Sequence, residues 1–287
     1  MKKSTHKNQL PQISRRDFLQ ASALAGIVPF VDIGFLNGKD SIDFTHHDVR
    51  PVGASSESII MAQLSDLHLR TIAPLHNSLA AKVNVEKPDA ILITGDAIDG
   101  SSDLKLLDSF LKLLPNTPKV AILGNHELES HINLEELAEI YEANNGVLLI
   151  NRTVPLAEDG VLSRILVTGL DDPILSSQNL EEALHTTDRS PNHILMVHRP
   201  QLSDETIAYL KQLKKQFNLV VAGHTHGGQI NIFGFAPGVP DGSGPYVKGW
   251  YNNIGTPMYV SRGIGTVIIP VRIGANPEVA IFKYHLS

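Results

Sequence analysis

The stretch Gly223-His224-Thr225-His226-Gly227-Gly228-Gln229 directly follows a short apolar run, residues 219–222. The run has β-branched residues at its centre and is bounded by glycine, so we predict that it is a buried strand. Two histidines spaced i, i+2 beyond a strand can reach two neighbouring points in space, as ligands of a metal centre do. The alternative is a pair of exposed loop histidines without a role, since a short motif has a high false-positive rate by itself.

The composition is that of an ordinary globular protein in which metal ligands must be nitrogen or oxygen atoms. The 287 residues are 42% hydrophobic and 19% charged, with 13 histidines and no cysteine. The lack of cysteine excludes disulfides, thiolate metal sites and cysteine nucleophiles. A formal net charge of -6 gives no basic surface, so nucleic acid is not expected as the main partner.

The N-terminus has the order of an export signal. Three lysines precede Arg15 and Arg16, and a mostly apolar stretch, residues 21–31, follows. This order resembles a twin-arginine export signal, and the apolar stretch is too short to span a bilayer comfortably. The alternative is a basic amphipathic first helix, which Gly26 and Pro29 would break.

This reading divides the chain into three parts. Residues 1–36 are predicted to be a twin-arginine-type signal or anchor, with cleavage left open, and residues 37–54 a linker. Residues 55–287 would form one catalytic domain. The implied partner is the twin-arginine export machinery, and the protein would lie in the periplasm, in the cell wall or on the outer face of the cytoplasmic membrane.

Short apolar runs alternate with longer amphipathic segments after the linker, which is typical of α/β proteins. Strands are predicted at residues 59–64, 90–94 and 119–123, and helices at residues 74–86 and 102–114. The three strands stop at polar residues that can bind a metal: Asp66 and His68, Asp96, and Asn125. Because the carboxyl ends of strands gather at one edge of an α/β sheet, we expect these side chains to converge.

The second half of the chain repeats this pattern. Further helices are predicted at residues 133–144 and 204–215 and from Asn179, and strands at residues 147–149, 164–169, 193–197, 229–232, 258–261, 267–269 and 279–284. The strand at residues 193–197 stops at His198, close to a proline. Residues 233–253 are rich in glycine and proline; such long segments are functional or disordered, and the aromatic residues here favour an ordered wall or lid.

Five strand ends therefore carry seven candidate metal ligands: Asp66, His68, Asp96, Asn125, His198, His224 and His226. Each has an ordinary alternative, such as a helix cap for an aspartate or half-buried packing for a histidine. Together they offer carboxylate, amide and imidazole groups, which suit Mn²⁺, Fe or Zn²⁺. Because so many ligand-type residues follow strands, we predict a metal centre at the sheet edge.

The candidate ligands occur in five ordered blocks: Asp66-Leu67-His68, Gly95-Asp96, Gly124-Asn125-His126-Glu127, His198, and Gly223-His224-Thr225-His226. In this order the chain resembles the calcineurin-like metallophosphoesterase superfamily over most of residues 55–287. Two further blocks are similar to the bacterial phosphodiesterase branch of this superfamily: the ending Gly227-Gly228-Gln229 and Gly169-Leu170-Asp171-Asp172. Some members of that branch carry a twin-arginine signal. The resemblance implies an α/β fold of two packed mixed β-sheets flanked by helices, a four-layer sandwich.

The resemblance also implies a role for each ligand. Asp66, His68 and His226 would hold one metal ion, Asn125, His198 and His224 the other, and Asp96 would bridge both. A bridging carboxylate helps to keep two cations about 3.5–4 Å apart, where a hydroxide between them can attack phosphorus. His126 would contact the phosphate and protonate the leaving oxygen, a task that a near-neutral pKa suits. Gly227 and Gly228 are expected to leave room for the phosphate.

Four other residues are candidates for supporting or substrate-binding roles. Asp99 would orient the catalytic histidine, with a surface turn as its alternative. Related protein phosphatases have an arginine where this chain has Gly100, so another group must meet the phosphate charge. Arg199 is the first candidate because it adjoins a ligand, followed by Arg70 and Arg262, and the alternative for each is an ordinary surface arginine.

These observations predict a dinuclear-metal-dependent phosphoesterase that hydrolyses a phosphodiester or pyrophosphate bond, on a substrate that could be linked to a lipid or to the cell envelope. One alternative is a hydrolase of a UDP-2,3-diacylglucosamine-type glycolipid at the membrane, although an exported protein would not meet that intracellular intermediate. The alternative of another class is a non-catalytic metal-binding surface protein, which the presence of all seven ligands and His126 disfavours.

Overall fold

Two β-sheets pack face to face at the centre of the fold, and helices cover their outer faces. The structure is a computed structural model that describes residues 42–172, 183, 190–212, 217–231, 235–252, 255–267 and 270–287. The predicted signal and the predicted helix from Asn179 lie outside these residues.

The strands of the described residues are β1 (Asp43–Val49), β2 (Ser58–Leu64), β3 (Ala90–Thr94), β4 (Lys119–Ile122), β5 (Gly146–Leu149), β6 (Arg152–Pro155), β7 (Ile165–Gly169), β8 (Asn192–Val197), β9 (Leu219–Ala222), β10 (Gly249–Tyr251), β11 (Met258–Val260) and β12 (Glu278–His285). One sheet has the order β1-β12-β2-β3-β4-β5, and the other β10-β11-β9-β8-β7-β6. Three neighbouring pairs are antiparallel, β12 with β2, β10 with β11 and β6 with β7, and the others are parallel.

The helices of the described residues are α1 (Pro74–Glu86), α2 (Leu104–Leu111), α3 (Asn125–Glu129), α4 (Leu134–Ala143) and α5 (Leu202–Gln212). Helices α1, α2 and α4 pack on the outer face of the first sheet, and α5 packs on the outer face of the second. The predicted helices at residues 74–86, 102–114, 133–144 and 204–215 correspond to α1, α2, α4 and α5.

The inner strands, such as β2 and β3, are mostly apolar on both faces because both faces of their sheet are buried. In β2, Met61 points into the core between the sheets, while Ala62 and Leu64 belong to the core under the helices. In β3, Leu92 points into the core between the sheets and Ile91 into the core under the helices. Side chains that alternate along a strand give this arrangement. The predicted fold of two mixed sheets flanked by helices is confirmed.

The predicted linker needs a correction, because part of it belongs to the first sheet. β1 lies within residues 37–54 and pairs in parallel with β12, from Asp43 opposite Glu278 to Val49 opposite Tyr284. β1 is an edge strand of polar sequence and mixed exposure, so it lacks the apolar run that marks the other strands. The folded domain therefore includes β1.

Other local predictions also differ from the structure. The edge strands β6 and β10 were not predicted, and β10 falls in the predicted wall or lid, residues 233–253. Residues 229–231 form no regular strand: Gln229 has a φ of 48°, and Ile230 forms an isolated bridge with Ile273. The predicted strand at residues 267–269 lies mostly outside the described residues.

Within the described ranges, no helix is both long enough and apolar enough to span a membrane.

Glu278, the first residue of β12, connects the two sheets through a buried carboxylate. Its Oε1 accepts hydrogen bonds from Thr45 Oγ1 at 2.7 Å and from the Tyr259 hydroxyl at 2.5 Å. Its Oε2 accepts from the backbone N–H of Arg262 at 3.1 Å and lies 3.2 Å from the Nε atom of that residue. Burial raises the pKa of Glu278, but the interactions with Arg262, Thr45 and Tyr259 outweigh burial and hold the pKa below its usual value.

Replacing Glu278 by glutamine is therefore expected to lower the free energy of unfolding by about 1–3 kcal/mol at pH 7. A carboxyl with a depressed folded pKa stabilises the protein above its unfolded pKa, about 4.3 for glutamate, and this contribution is lost as pH falls through the folded pKa. The difference between wild type and Glu278→Gln should shrink below about pH 4, which urea titrations across the acid range would measure. A difference that stays constant with pH would contradict this assignment.

Candidate metal centre

All seven predicted ligands meet at the carboxyl ends of five strands, β2, β3, β4, β8 and β9. Their relative exposure is at most 6%: Asp66, His68, Asp96, Asn125, His198, His224 and His226. Strands from both sheets contribute, so the ligands assemble only when the two sheets pack together. Gly124 permits one close approach, because a Cβ atom there would lie 2.1 Å from Asp96 Oδ1.

The first ligand group consists of Asp66, His68 and His226. The Nε2 atom of His226 lies 3.5 Å from Asp66 Oδ1 and 3.2 Å from His68 Nε2. One possible ligand atom from each of the three residues lies within 4.8 Å of the others. This is the set that the resemblance implies for one metal ion.

The second ligand group consists of Asn125, His198 and His224. The Nε2 atom of His198 lies 3.2 Å from Asn125 Oδ1 and 3.2 Å from His224 Nδ1. Ligand atoms of His198, His224 and Asp96 also fall within 4.8 Å of one another. The second implied set is therefore assembled as well.

Asp96 lies between the two ligand groups. Its Oδ2 atom is 3.2 Å from His198 Nε2 and 3.7 Å from His68 Nε2. Its Oδ1 atom accepts a hydrogen bond of 2.9 Å from the backbone N–H of His126. One carboxylate oxygen therefore faces a histidine from each group, which is the position that the predicted bridging ligand requires.

Three of the histidines are oriented by oxygen atoms on the ring nitrogen that faces away from the ligands. The contacts are His68 Nδ1 with Asp99 Oδ1 at 2.6 Å, His198 Nδ1 with the Thr94 carbonyl at 2.8 Å, and His224 Nε2 with the Asp241 carbonyl at 2.8 Å. A neutral imidazole that donates its proton to such an oxygen presents the lone pair of its other nitrogen to the ligand group. The donor set therefore fits divalent metal ions.

The pKa shifts of the buried ligands also indicate a site for divalent metal ions. Burial raises the pKa of Asp66, and the charge of Asp96 adds to this effect. Burial lowers the pKa of His198, but Asp96 and Asp66 outweigh it and raise that pKa to about 10. The two carboxylates thus stabilise positive charge at this position. Burial and neighbouring cationic groups lower the pKa of His224 and of His226 well below the usual value, which favours the neutral form that binds metals.

The backbone at five of the ligands is strained. Positive φ angles occur at Asp66, His68, Asp96, His224 and His226, from 45° to 72°. Residues other than glycine seldom adopt this left-handed region, and such residues cluster at functional sites. The packed blocks hold these turns in place and direct the ligand side chains into the centre.

Asp99 contacts three groups at the edge of the centre. Its Oδ1 atom lies 2.6 Å from His68 Nδ1 and 3.0 Å from His126 Nδ1, and its Oδ2 accepts a hydrogen bond of 2.5 Å from Arg70 Nε. Burial raises the pKa of Asp99, but hydrogen bonds from His126, His68 and Arg70 hold it well below the usual value. The predicted contact with His126 is present, and the contact with His68 was not predicted.

Glu127 is a supporting residue to which the sequence reasoning assigned no role. Its buried carboxylate accepts hydrogen bonds from four backbone N–H groups: Gly124 at 2.9 Å, Asp96 at 3.1 Å, Ala97 at 2.6 Å and Ile98 at 3.3 Å. These bonds connect the turn after β3 to the start of α3. The available signal was a glutamate three residues after the N-cap glycine of a helix, where it can bond back to the N-cap.

The three candidate arginines have different surroundings. Arg199 is buried and donates to Asp172 and to the carbonyl of Asp241, so it is not a surface arginine. Arg262 forms ion pairs with Asp43 and Glu278. Arg70 is exposed, with 59% of its side chain accessible, and contacts Asp99 beside the centre.

Arg272 is a buried residue that sequence reasoning did not place at the site. Its Nη1 atom donates to the carbonyls of His226, Arg262 and Ala275 at 3.2, 2.8 and 3.0 Å. Its Nη2 atom lies 3.2 Å from His226 Nδ1. Burial lowers its pKa to about 10, so it remains a cation at neutral pH. The guanidinium supports the turn that carries His226.

Gly227 and Gly228 do not serve the purpose that the sequence suggested. A Cβ atom on Gly227 would meet Arg262 Cγ at 2.9 Å, and one on Gly228 would meet Ala236 Cβ at 2.4 Å. Both glycines have positive φ angles. They therefore allow protein segments to pack against the histidine turn, which corrects the expectation that they leave room for phosphate.

Three aromatic residues of the predicted wall or lid have other roles: Tyr246, Trp250 and Tyr251. Tyr246 is buried and packs edge-on against Tyr251. Trp250 contacts His47 and Tyr259 at the join between the sheets. The segment touches the centre instead through the backbone carbonyl of Asp241.

The chain is similar to a known protein family and to several of its members. The model of the calcineurin-like phosphoesterase family matches residues 61–228. The chain is 30% identical to the uncharacterised metallophosphoesterase YkuE of Bacillus subtilis over 95% of this chain and 98% of that protein. It is 33% identical to an uncharacterised metallophosphoesterase of Campylobacter jejuni over 78% of this chain and 58% of that protein. A solved dimetal phosphatase from Danio rerio is similar at a TM-score of 0.43 and 12% identity, over 75% of this chain and 88% of that chain.

The family match covers more than half of the chain and includes all five ligand blocks. The chain therefore belongs to the calcineurin-like phosphoesterase family and is a metal-dependent phosphoester hydrolase.

Proposed function

We propose that the protein hydrolyses a phosphodiester or pyrophosphate bond with two divalent metal ions, Mn²⁺, Fe or Zn²⁺. The observation that carries this proposal is the position of Asp96, whose Oδ2 atom faces a histidine of each ligand group. The first ligand group would hold one ion and the second ligand group the other. When bound, the ions supply Lewis-acid activation of the phosphoryl group and of the attacking water.

His126 is the proposed general acid. Its side chain is 24% exposed, so it lies near the ligands and remains accessible to solvent and to an incoming substrate. Burial lowers its pKa, but the hydrogen bond to Asp99 and the charge of Asp96 raise it above the usual value. The raised pKa favours the protonated ring, whose proton can pass to the leaving oxygen.

Arg70 is the candidate for contact with the phosphate. Asp99 holds its Nε atom, while its terminal nitrogens have no hydrogen-bond partner among the described residues. A guanidinium presented in this way can donate to phosphate oxygens. Arg199 and Arg262 instead use their guanidinium groups in contacts with protein carboxylates.

The preference for a diester rests on this limited supply of cationic side chains beside the proposed metal ions. A phosphomonoester carries close to two negative charges at neutral pH, whereas a diester carries one. Gly100 stands where related protein phosphatases have an arginine, and Arg70 is an exposed arginine that shares its partner Asp99 with His126. The centre is therefore better matched to a substrate with a single charge on the phosphoryl group.

A comparison of two chromogenic substrates tests this proposal. We expect kcat/KM for bis(4-nitrophenyl) phosphate to exceed that for 4-nitrophenyl phosphate by about tenfold, equivalent to about 1.4 kcal/mol. A clear preference for the monoester would contradict it. Faster turnover of UDP-2,3-diacylglucosamine than of the chromogenic diester would instead select the glycolipid alternative.

We also propose that the protein is exported by the twin-arginine route. The support is the order of basic residues, Arg15-Arg16 and an apolar segment at the N-terminus. Replacing both arginines by lysine should retain the protein in the cytoplasmic fraction, as fractionation of cells would show. Unchanged export of this variant would rule out that route.

A further inference from the structure

We propose that Arg199 is a positioning residue, which holds the loop at Asp241 so that His224 presents Nδ1 to the second ligand group. This inference rests on the proposed assignment of His224 to a metal ion. It replaces the expected role of Arg199 as a phosphate contact. Arg199 would then bind the backbone carbonyl of Asp241, and it would act on the metal ion only indirectly, through Asp241 and His224.

The contacts of Arg199 connect three separate segments. The residue directly follows the ligand His198, and 7% of its surface is exposed. Its Nε atom donates to Asp172, a buried carboxylate beyond the end of β7, and its Nη1 atom donates to the carbonyl of Asp241. The ion pair with Asp172 sets the direction of the planar guanidinium, and the guanidinium in turn holds the loop.

The carbonyl of Asp241 is the point at which this support reaches the metal centre. It accepts a hydrogen bond of 2.8 Å from His224 Nε2 in addition to the one from Arg199. A proton on Nε2 leaves the lone pair on Nδ1, the atom that lies 3.2 Å from His198 Nε2. The tautomer and the ring orientation of His224 therefore depend on where this carbonyl is held.

Besides Arg199, two backbone hydrogen bonds hold the loop near this carbonyl, and one of them closes the turn, from the Ser243 N–H to the Pro240 carbonyl at 3.2 Å. Asp241 and Gly242 lie in a turn outside the named strands and helices, and the Asp241 side chain is exposed. The carbonyl of Gly242 accepts a hydrogen bond of 3.1 Å from the backbone N–H of Gln201. Gly242 has a φ of +92°, and a Cβ atom there would lie 2.5 Å from Arg199 Cδ. The loop backbone thus packs directly on the arginine side chain.

Two kinds of change should disturb this support. Arg199→Met removes the donor but keeps much of the side-chain volume, and Gly242→Ala pushes the loop away from an intact arginine. Gly249→Ala is the matched control, because Gly249 also has a positive φ, +81°, but no atom within 4 Å of an added Cβ. Arg199→Lys tests rescue, since lysine keeps the charge but lacks the planar fork.

The experiment titrates metal-free full-length protein with Mn²⁺ and, separately, with Zn²⁺ by calorimetry. We expect wild type and Gly249→Ala to bind two ions, whereas Arg199→Met and Gly242→Ala should bind one of them 10- to 100-fold more weakly, the range typical for loss of an outer contact to a metal ligand. Arg199→Lys should fall between. Circular dichroism of the metal-free proteins reports whether each variant folds. If Arg199→Met does not fold, Gly242→Ala still tests the contact between the loop and the arginine.

Three results would overturn the inference. If both ions bind to Arg199→Met with wild-type affinity while KM for bis(4-nitrophenyl) phosphate rises, Arg199 contacts substrate. If Gly249→Ala lowers the affinity for the same ion as Gly242→Ala does, strain in the loop backbone, rather than loss of contact with Arg199, explains the weaker binding. If wild type binds fewer than two ions, the proposed metal centre itself is wrong, and this inference fails with it.

Discussion

Asp96→Asn is expected to lose most of the bound metal and to lower kcat/KM for a phosphodiester by about 10³-fold or more, equivalent to about 4 kcal/mol of transition-state stabilisation. Asp96 Oδ2 lies 3.2 Å from His198 Nε2 and 3.7 Å from His68 Nε2, so it serves both ligand groups. Asparagine has a similar shape but lacks the negative charge that two adjacent cations require. We therefore expect the binding of both ions to be weakened together.

Elemental analysis of the purified variant, with bis(4-nitrophenyl) phosphate turnover on the same sample, measures this effect. Asp159→Asn is the control, since Asp159 is exposed on the surface and makes the same change of charge. Loss of a single ion in Asp96→Asn, with the other retained at full occupancy, would show that Asp96 does not bridge. Wild-type metal content and turnover would exclude Asp96 from the centre.

His126→Ala is expected to lower kcat by about 10²- to 10⁴-fold, the usual contribution of a general acid, without loss of metal. The side chain contacts Asp99 at 3.0 Å, and it is more exposed than the seven ligands. The defect should grow as the leaving group becomes a stronger base, because a poor leaving group depends more on protonation. The kcat for diphenyl phosphate should therefore fall more than the kcat for bis(4-nitrophenyl) phosphate.

Metal analysis of His126→Ala is essential, because the ring also lies close to the first ligand group. One nitrogen of His126, with ligand atoms of His68 and Asp96, falls within 4.8 Å. Loss of a metal ion in this variant would make His126 a ligand and contradict its role as an acid. His46→Ala, which removes an exposed histidine of β1, should leave metal content and turnover unchanged.

The fold and the ligand set could be predicted because their signals are local. Each strand that carries a ligand is a short apolar run that ends in a polar turn, as at Asp66 after β2 and Asp96 after β3. These patterns extend over fewer than about ten residues, a range in which burial and turn chemistry act directly on the sequence. The family resemblance then connected the five blocks into one site.

Elements without a local signal were missed. The partner of β1 is β12, and Asp43 pairs with Glu278 across most of the chain. An edge strand with the sequence Asp-Phe-Thr-His-His-Asp-Val lacks a continuous apolar run, so only its pairing identifies it as a strand. β6 and β10 are also edge strands, and they were missed for the same physical reason.

The sequence by itself determined the alternation of strands and helices, the order of the ligand blocks and the residue types able to bind metal. The tertiary structure decided which groups meet: Asp99 with His68, Glu127 with four backbone amides, and Arg199 with the loop that orients His224. Residues distant in sequence acquire these partners only when the two sheets pack and the loops close over their edge. An arginine beside a ligand looks the same in sequence whether it faces phosphate or a backbone carbonyl, and packing alone separates the two.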